Sequence, residues 1–239
     1  PSFIKQKGIG FLMKKEIEML DKVSLAPEHP YVVILGGSKV SDKMGVIEKL
    51  IETADTIMIG GAMAYTFLAA KDINVGSSMV EKQKIKYAAD LIGRMDARGK
   101  KLLLPIDHLV VKDIKKPETA RKSLGEAMSD GDIAVDIGPK TAMLYANEMN
   151  SAKTIFWNGP LGIFETKEFA AGTFAVARAM AESEGITVVG GGDSAAAINA
   201  SGYGDKVTHI STGGGASLEF LQGDKLPGVE ALRLHTPTT

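Results

Sequence analysis

Five short apolar runs in this chain each end in a glycine-containing turn, and this pattern constrains the fold more than any other feature. The runs cover residues 32–35, 56–59, 154–157, 186–189 and 207–212. Continuous apolar runs of this length are typical of strands that are buried on both faces of a parallel sheet. Glycine lets the backbone turn sharply and lets a ligand approach the main chain. Because open α/β sheets bind ligands where parallel strands end, the pattern indicates a site for a phosphorylated molecule.

Helix-forming segments separate the strands. Helices are predicted over residues 10–24, 41–52, 62–70, 80–98, 141–148, 168–183, 194–200 and 216–222. A further apolar run at 133–137 predicts a strand, whereas 112–132 predicts loop or short edge elements. The alternation predicts a doubly wound α/β fold, a Rossmann-like three-layer sandwich with a mainly parallel six-stranded sheet and helices on both faces.

We divide the chain into a lead-in helix region at 1–24, an α/β domain at 25–222 and a C-terminal tail at 223–239. The first residues, Pro1, Ser2 and Phe3, lack an initiator methionine, which indicates a fragment of a longer protein. The last eight residues, 232–239, show neither helical nor strand periodicity. We therefore expect residues 232–239 to be a mobile end.

Composition excludes several classes of protein. The 239 residues, 44% of them hydrophobic, suffice for a full core. A net charge of −1 gives no basic field for nucleic acid or an anionic membrane surface. The absence of cysteine excludes disulfides, thiolate metal sites and cysteine nucleophiles. Without a signal sequence or a long apolar stretch, we expect a cytoplasmic monomer with neither a membrane nor a nucleic acid partner.

The turn after the first strand carries the sharpest candidate anion site. Lys39 and Lys43 follow Gly36 and Gly37 and lie four residues apart. On one helix face their like charges repel, and an anion between them would turn repulsion into attraction. The alternative is a glycine turn followed by two solvated lysines, with Asp42 as partial compensation. The segment lacks the P-loop pattern.

The turn at 190–195 allows two interpretations. Gly190, Gly192 and Ala195 have the spacing of a dinucleotide fingerprint, but the next strand ends without the acid that would bind a ribose. Asp193 is most simply a helix N-cap. A carboxylate beside phosphate-binding amides can also hold Mg²⁺. The sequence leaves both roles open.

Two other turns are equally ambiguous. The glycines at 213–215 either form an anion-binding nest that stabilises charge during phosphoryl transfer or allow tight packing of strand on helix. Residues 158–165 either cover the core or form a wall for a flat base, with Glu165 accepting hydrogen bonds from a ribose. The four histidines have no ligand spacing, which argues against a histidine metal site.

Five of these segments, taken in order, resemble the phosphoglycerate kinase family: residues 10–16, 35–43, 157–160, 191–194 and 211–217. The similarity runs from about Gly8 to Leu232. The family is a two-domain, hinge-bending kinase whose N-terminal half binds 3-phosphoglycerate and whose C-terminal half binds MgADP or MgATP. The resemblance implies that this chain is the C-terminal, nucleotide-binding half, preceded by the interdomain helix at 10–24.

The resemblance also implies residue roles. Lys39 corresponds to the lysine that contacts the transferring phosphoryl group, Lys43 to a second phosphate-binding lysine, and Asp193 to the Mg²⁺ partner. Gly213 and Gly214 correspond to amides that face the transferred phosphate. The implied nucleotide contacts are Gly37, Ser38, Lys39, Lys43, Gly61, Ala62, Val135, Asn158, Gly159, Phe164, Glu165, Gly191, Gly192, Asp193 and Ser194. Ser38, Ala62 and Ser194 stand where many members have alanine, glycine and threonine.

The leading hypothesis is therefore reversible transfer of phosphate between 1,3-bisphosphoglycerate and ADP in glycolysis, with ADP or ATP and Mg²⁺ bound by this chain. Because the resemblance leaves out the half that binds 3-phosphoglycerate, we expect nucleotide binding without turnover. One alternative is an NAD-dependent oxidoreductase, which rests on the fingerprint at 190–195. Another is a non-catalytic nucleotide-sensing module, whose behaviour would not depend on Lys39.

Overall fold

The computed structural model describes residues 8–211 and 213–233, the last three without their side chains. The strands are β1 (Tyr31–Leu35), β2 (Thr56–Ile59), β3 (Lys101–Leu103), β4 (His108–Val111), β5 (Arg121–Lys122), β6 (Ile133–Ile137), β7 (Thr154–Asn158), β8 (Ile186–Gly190) and β9 (His209–Ile210). The helices are α1 (Phe11–Ser24), α2 (Met44–Thr53), α3 (Met63–Ala70), α4 (Ile85–Ala97), α5 (Pro139–Met149), α6 (Ala171–Glu182), α7 (Gly192–Ala200), α8 (Gly215–Gln222) and α9 (Pro227–Arg233).

The main sheet contains six parallel strands in the order β3-β2-β1-β7-β8-β9. The chain starts at the centre with β1, moves outward through β2 and β3, and returns to β7 on the other side of β1. The strand order therefore reverses between β1 and β7, the position where doubly wound sheets bind ligands. All five glycine-ended runs contribute strands to this sheet, and the predicted fold class is confirmed.

The apolar runs are continuous because each strand packs on two faces. In β1, Tyr31, Val33 and Leu35 join the core cluster that includes α2, α3 and α4 residues. Val32 and Ile34 join the opposite cluster, which includes residues of α5, α6 and α7. A strand between two helical layers leaves no solvent-facing position for a polar side chain, so the period-two pattern is lost.

A second, smaller sheet has the antiparallel order β5-β4-β6. The predicted strand at 133–137 belongs here rather than in the main sheet. Residues 112–132, predicted as loop or short edge elements, contain the two-residue strand β5 and a short 3₁₀ turn at Pro117–Thr119. This sheet matters for the site because Ala134 and Val135 of β6 lie beside the turns that end β1, β2 and β7.

Several predicted boundaries are wrong. The helix predicted from 41 begins at Met44, because residues 36–43 form a long turn in which the Lys43 amide donates to Val40 O at 3.0 Å. The helix predicted from 80 begins at Ile85 after a 3₁₀ turn, and the last strand of the sheet has only two residues. Residues 227–233 form α9 with Pro227 in its first turn, so Leu232 and Arg233 of the predicted aperiodic tail are helical, while the rest of that tail, 234–239, lies outside the described residues.

In the described residues, no helix combines the length and the apolar character that crossing a bilayer demands.

Candidate functional site

The turns that follow β1, β2 and β7 interlock through their backbones. The Gly37 amide donates to Pro160 O at 3.0 Å, and the Gly61 amide donates to Leu161 O at 2.9 Å. Gly61 has φ +65°, and a Cβ there would lie 2.6 Å from the backbone N and O of Gly37. Only glycine allows this approach of two main chains, so the turns form a floor of peptide groups at the point where the strand order reverses.

A cavity of about 350 Å³ opens above this floor and has mostly apolar walls. One wall is formed by the turns after β1 and β2 and the start of α3, and the other by β6 and the turn after β7. Its lining residues are Gly37, Ser38, Gly61, Ala62, Tyr65, Ala134, Val135, Pro160, Leu161, Gly162, Ile163, Glu165 and Asp193. A mostly apolar cavity that also contains a carboxylate, such as that of Glu165, suits a flat heterocycle joined to a group that carries hydroxyls.

A second cavity of about 200 Å³ adjoins the first and is more polar. It is lined by Lys43, Asn158, Gly159, Gly191, Gly192, Asp193, Ser194, Gly214, Gly215 and Leu218. The first residues of α7 and α8 are among them, so the unpaired amides and positive ends of two helices lie at this cavity. Backbone amides of this kind, with one lysine, form a site for phosphate groups.

The charge of the partly buried Lys43 would be stabilised by a bound anion. Its ammonium group donates to Asn158 Oδ1, and Asn158 in turn donates from Nδ2 to Gly190 O at 2.6 Å. Burial lowers the pKa of Lys43 to about 8, although the nearby carboxylates of Asp193 and Asp42 raise it. The lysine is therefore partly desolvated while still charged at neutral pH, and a bound phosphate would compensate for the lost hydration.

Among the described residues, Asp193 is the one that lines both cavities. It lies in the first turn of α7, whose N-cap is Gly191 and has no side-chain capping bond, so the prediction of Asp193 as N-cap is wrong. The neighbouring Ser194 is almost fully buried, and its Oγ accepts a hydrogen bond of 2.5 Å from the Gly159 amide. Ser194 thus fixes α7 to the turn after β7 and leaves Asp193 at the junction of the two cavities.

Most of the residues predicted for the site line one cavity or the other, but Lys39, Phe164 and Gly213 line neither. Lys39 is exposed on the turn between Ser38 and Lys43, so the two lysines do not share a helix face. Phe164 packs in the core cluster of the α5–α6 face and is 9% exposed. The Gly213 amide donates to Ser211 Oγ at 3.3 Å.

Three lining residues were not predicted from the sequence. In the larger cavity they are Tyr65 and Ala134, and in the smaller one Leu218. Tyr65 had a usable signal, because it lies three residues after Ala62 and therefore one helical turn along the same face. Ala134 had none, since nothing in the sequence indicates that β6 belongs to a second sheet.

The residues at the junction are compatible with Mg²⁺. Within the described residues, no group of three or more histidine, cysteine, aspartate or glutamate side chains is arranged to hold a metal ion. Mg²⁺ usually binds one or two carboxylates and completes its shell with water and substrate phosphates. The single Asp193 carboxylate, beside a cavity rich in amides, fits this type of site.

A third, more apolar groove of about 520 Å³ lies between α5 and α6. It includes Met143, Ala146 and Ala175, and no described residue of the five glycine turns contributes to it. Its position away from the reversal in strand order separates it from the site described above.

Residues 1–224 match the family model described as Phosphoglycerate kinase. The chain belongs to the phosphoglycerate kinase family. It is 55% identical over 233 residues to "Phosphoglycerate kinase" of Bdellovibrio bacteriovorus, with 98% of this chain and 58% of the relative covered. It is 52% identical over 230 residues to "Phosphoglycerate kinase" of Clostridium perfringens, with 96% and 58% covered. The chain thus spans only about 58% of the length of these relatives.

Solved structures of the same family agree with the fold. Phosphoglycerate kinase from Coxiella burnetii superposes with a TM-score of 0.89 at 36% identity, covering 94% of this chain and 58% of that one. The enzyme from Pyrococcus horikoshii gives a TM-score of 0.82 at 36% identity, with 94% and 57% covered. Family membership confirms the resemblance drawn from the five motifs and argues against an NAD-dependent oxidoreductase.

Proposed function

We propose that this chain binds MgADP and MgATP as the nucleotide-binding half of a phosphoglycerate kinase, an enzyme that reversibly transfers phosphate between 1,3-bisphosphoglycerate and ADP. The observation that carries the proposal is the position of Asp193 where an apolar cavity meets an amide-rich one. A nucleotide has the same two parts, an apolar base and an anionic phosphate chain, joined by a sugar. The reversal of strand order between β1 and β7 supports the same placement.

The base and ribose belong in the larger cavity. Val135, Leu161 and Ile163 provide apolar contact for the faces of the base, and the Glu165 carboxylate can accept hydrogen bonds from ribose hydroxyls. Because peptide groups of Gly37 and Gly61 form the floor, a purine can approach the main chain closely. Phe164, which is buried in the core, would act by supporting this wall.

The phosphates belong in the smaller cavity. The amides at the starts of α7 and α8 and the ammonium group of Lys43 supply positive potential from separate directions. Mg²⁺, when bound by Asp193 and phosphate oxygens, would supply further charge neutralisation. Phosphoryl transfer demands little covalent chemistry from the protein, so in-line positioning and preorganised donors account for most of the catalysis. Lys39 and the Gly213–Gly214 segment are our candidates for contact with the transferring group.

The acceptor, 3-phosphoglycerate, belongs to a part of the enzyme outside this chain. No arginine lines either cavity of the described residues, so a second anionic substrate has no evident partner there. The chain also spans only about 58% of the length of these relatives. We therefore expect nucleotide binding by this chain and no formation of 1,3-bisphosphoglycerate from ATP and 3-phosphoglycerate.

Calorimetric titration with ADP, in the presence and absence of Mg²⁺, tests the proposal. We expect saturable binding that is stronger with Mg²⁺, loss of the Mg²⁺ effect in Asp193→Ala, and weaker binding in Lys43→Ala. Asp96→Ala and Lys49→Ala are matched controls, since both side chains are exposed on helices away from the cavities. A folded wild-type chain that binds no ADP, or an Asp193→Ala variant that keeps its Mg²⁺ dependence, contradicts the assignment.

A further inference from the structure

A carboxylate outside the two cavities holds the turn that carries Lys39. Glu81 Oε1 accepts a hydrogen bond from Ser41 Oγ at 2.7 Å, and Glu81 Oε2 accepts one from the Ser41 amide at 3.1 Å. The backbone of Glu81 is itself fixed, because its amide donates to Thr66 Oγ1 of α3 at 3.1 Å, and Thr66 is buried. Glu81 therefore connects the turn after β1 to the helix that begins beside the larger cavity.

The turn is anchored at the two residues that follow Lys39. Val40 is fully buried in the core cluster, and the next residue, Ser41, is bound by Glu81. Partial burial raises the pKa of Glu81, but hydrogen bonds from Ser41 and Val40 and the charge of Lys39 outweigh burial, and the pKa lies below its usual value. Glu81 is thus ionised at neutral pH, with the Lys39 ammonium within its field.

Among the described residues, no comparable pair of hydrogen bonds holds the Lys39 side chain. Its side chain is exposed, and it lies in sequence between Ser38, which lines the larger cavity, and Lys43, which lines the smaller one. A lysine side chain has several freely rotating bonds, and ordering it on a phosphate costs conformational entropy. A fixed backbone and an opposing carboxylate reduce the range of positions that the ammonium group explores.

We propose that Glu81 is a positioning residue for Lys39. Glu81 holds the Val40–Ser41 backbone and thereby orients the Lys39 side chain toward the terminal phosphate of a bound nucleoside triphosphate. The inference rests on the proposed function, since it assigns a role within the same nucleotide site. It concerns the terminal phosphate specifically, because Lys39 is outside both cavities whereas Lys43 is within the smaller one.

The test compares two nucleotides rather than one. Wild type, Glu81→Ala, Lys39→Ala and the double variant are titrated with MgADP and with a non-hydrolysable MgATP analogue. Because Glu81→Ala removes charged hydrogen bonds, we expect it to lower the affinity for the MgATP analogue by about five- to tenfold and the affinity for MgADP by no more than about twofold. In the Lys39→Ala background, Glu81→Ala is expected to cause no further loss. Glu81→Gln retains an acceptor for Ser41 without the charge, and its affinity should lie between those of Glu81→Ala and wild type.

Glu48→Ala is the matched control. Glu48 of α2 pairs with Arg94 of α4 at 2.7 Å, so it is a carboxylate in a tertiary contact of the neighbouring helix and not of the turn that carries Lys39. The Glu48→Ala variant should keep the wild-type ratio of affinities for the two nucleotides. The positioning role would be overturned if Glu81→Ala lowered the affinities for both nucleotides equally. It would also be overturned if the affinity losses of the two single variants added in the double variant. If the wild-type chain binds neither nucleotide, the proposed function is overturned together with this inference. If the wild-type chain binds both nucleotides and Glu81→Ala binds them with unchanged affinity, only this inference is overturned.

Discussion

Replacing Lys43 with methionine should make the nucleotide-free protein more stable. The lysine is held in a partly desolvated position by the turn before α2, and burial lowers its pKa from 10.5 to about 8. At about 1.4 kcal/mol for each pKa unit, this difference represents an unfavourable contribution to folding of about 3 kcal/mol. Methionine has a similar length and carries no charge, so it removes this contribution.

The substitution also removes the hydrogen bond that Asn158 Oδ1 accepts from Lys43. Losing the partner of a buried amide oxygen costs about 1–2 kcal/mol. The net expectation is therefore a gain of about 1–2 kcal/mol in the free energy of unfolding at pH 7, together with weaker binding of ADP. A gain in stability with a loss of affinity would indicate that the lysine is retained for its ligand.

The effect depends on pH in a definite direction. Below about pH 8 both the folded and the unfolded chain carry the Lys43 proton, so the cost of burying the charge is fully present. Between about 8 and 10.5 the unfolded chain holds a proton that the folded chain lacks, and wild-type stability rises with pH relative to the variant. Above this range the advantage of methionine disappears and the lost hydrogen bond remains.

Urea denaturation of wild type and Lys43→Met at several pH values between 7 and 10 measures this difference. Nucleotide and Mg²⁺ are omitted, because any ligand of the folded state would stabilise wild type. Lys49→Met is the control, since Lys49 is exposed on the same helix, α2. A variant that is less stable than wild type at pH 7, or a difference that does not shrink as pH rises, would refute the reasoning.

Two other substitutions test the way the turns are joined. Gly61→Ala should lower the free energy of unfolding by about 2–4 kcal/mol, because the added Cβ would meet the Gly37 backbone and residue 61 has a positive φ. Urea denaturation measures this change. An unchanged free energy of unfolding would show that the two turns can move apart without cost. Ser194→Ala should cost about 1–3 kcal/mol by leaving the buried Gly159 amide without its acceptor. Hydrogen exchange at Gly159 should then accelerate, and an unchanged exchange rate would mean that another acceptor replaces the hydroxyl.

Much of the fold could be predicted from the sequence because one local pattern determines it. A continuous apolar run that ends in glycine indicates both a strand covered on two faces and the edge at which it stops. The runs at 32–35 and 154–157 became the neighbouring strands β1 and β7, and their turns form the floor of the site. The candidate site followed from the same pattern, since parallel strands bring their carboxyl ends together.

Features that depend on contacts distant in sequence could not be predicted. The strand at 133–137 pairs with β4, and no local signal distinguishes this partner from a strand of the main sheet. The late start of α2 arises because Glu81, forty residues away, holds Ser41 in a turn. The N-cap assignment of Asp193 failed because Gly191, at φ +92°, allows the helix to begin one residue before the aspartate. In each case, tertiary contacts or backbone freedom override local propensity.

The construction of the site from backbone groups explains why three departures from the family's usual residues need not alter its chemistry. Ser38 and Ala62 replace small residues with other small residues on turns whose contribution is a peptide floor, and the exposed Ser38 side chain adds only a hydroxyl. Ser194, where many members have threonine, presents the same Oγ to the Gly159 amide. The side chains that cannot be exchanged in this way are those that supply charge, Lys43 and Asp193, because a peptide group offers only a partial charge. If the site binds a nucleotide as proposed, the effect of a substitution on binding should therefore depend more on the loss of charge than on distance from the nucleotide.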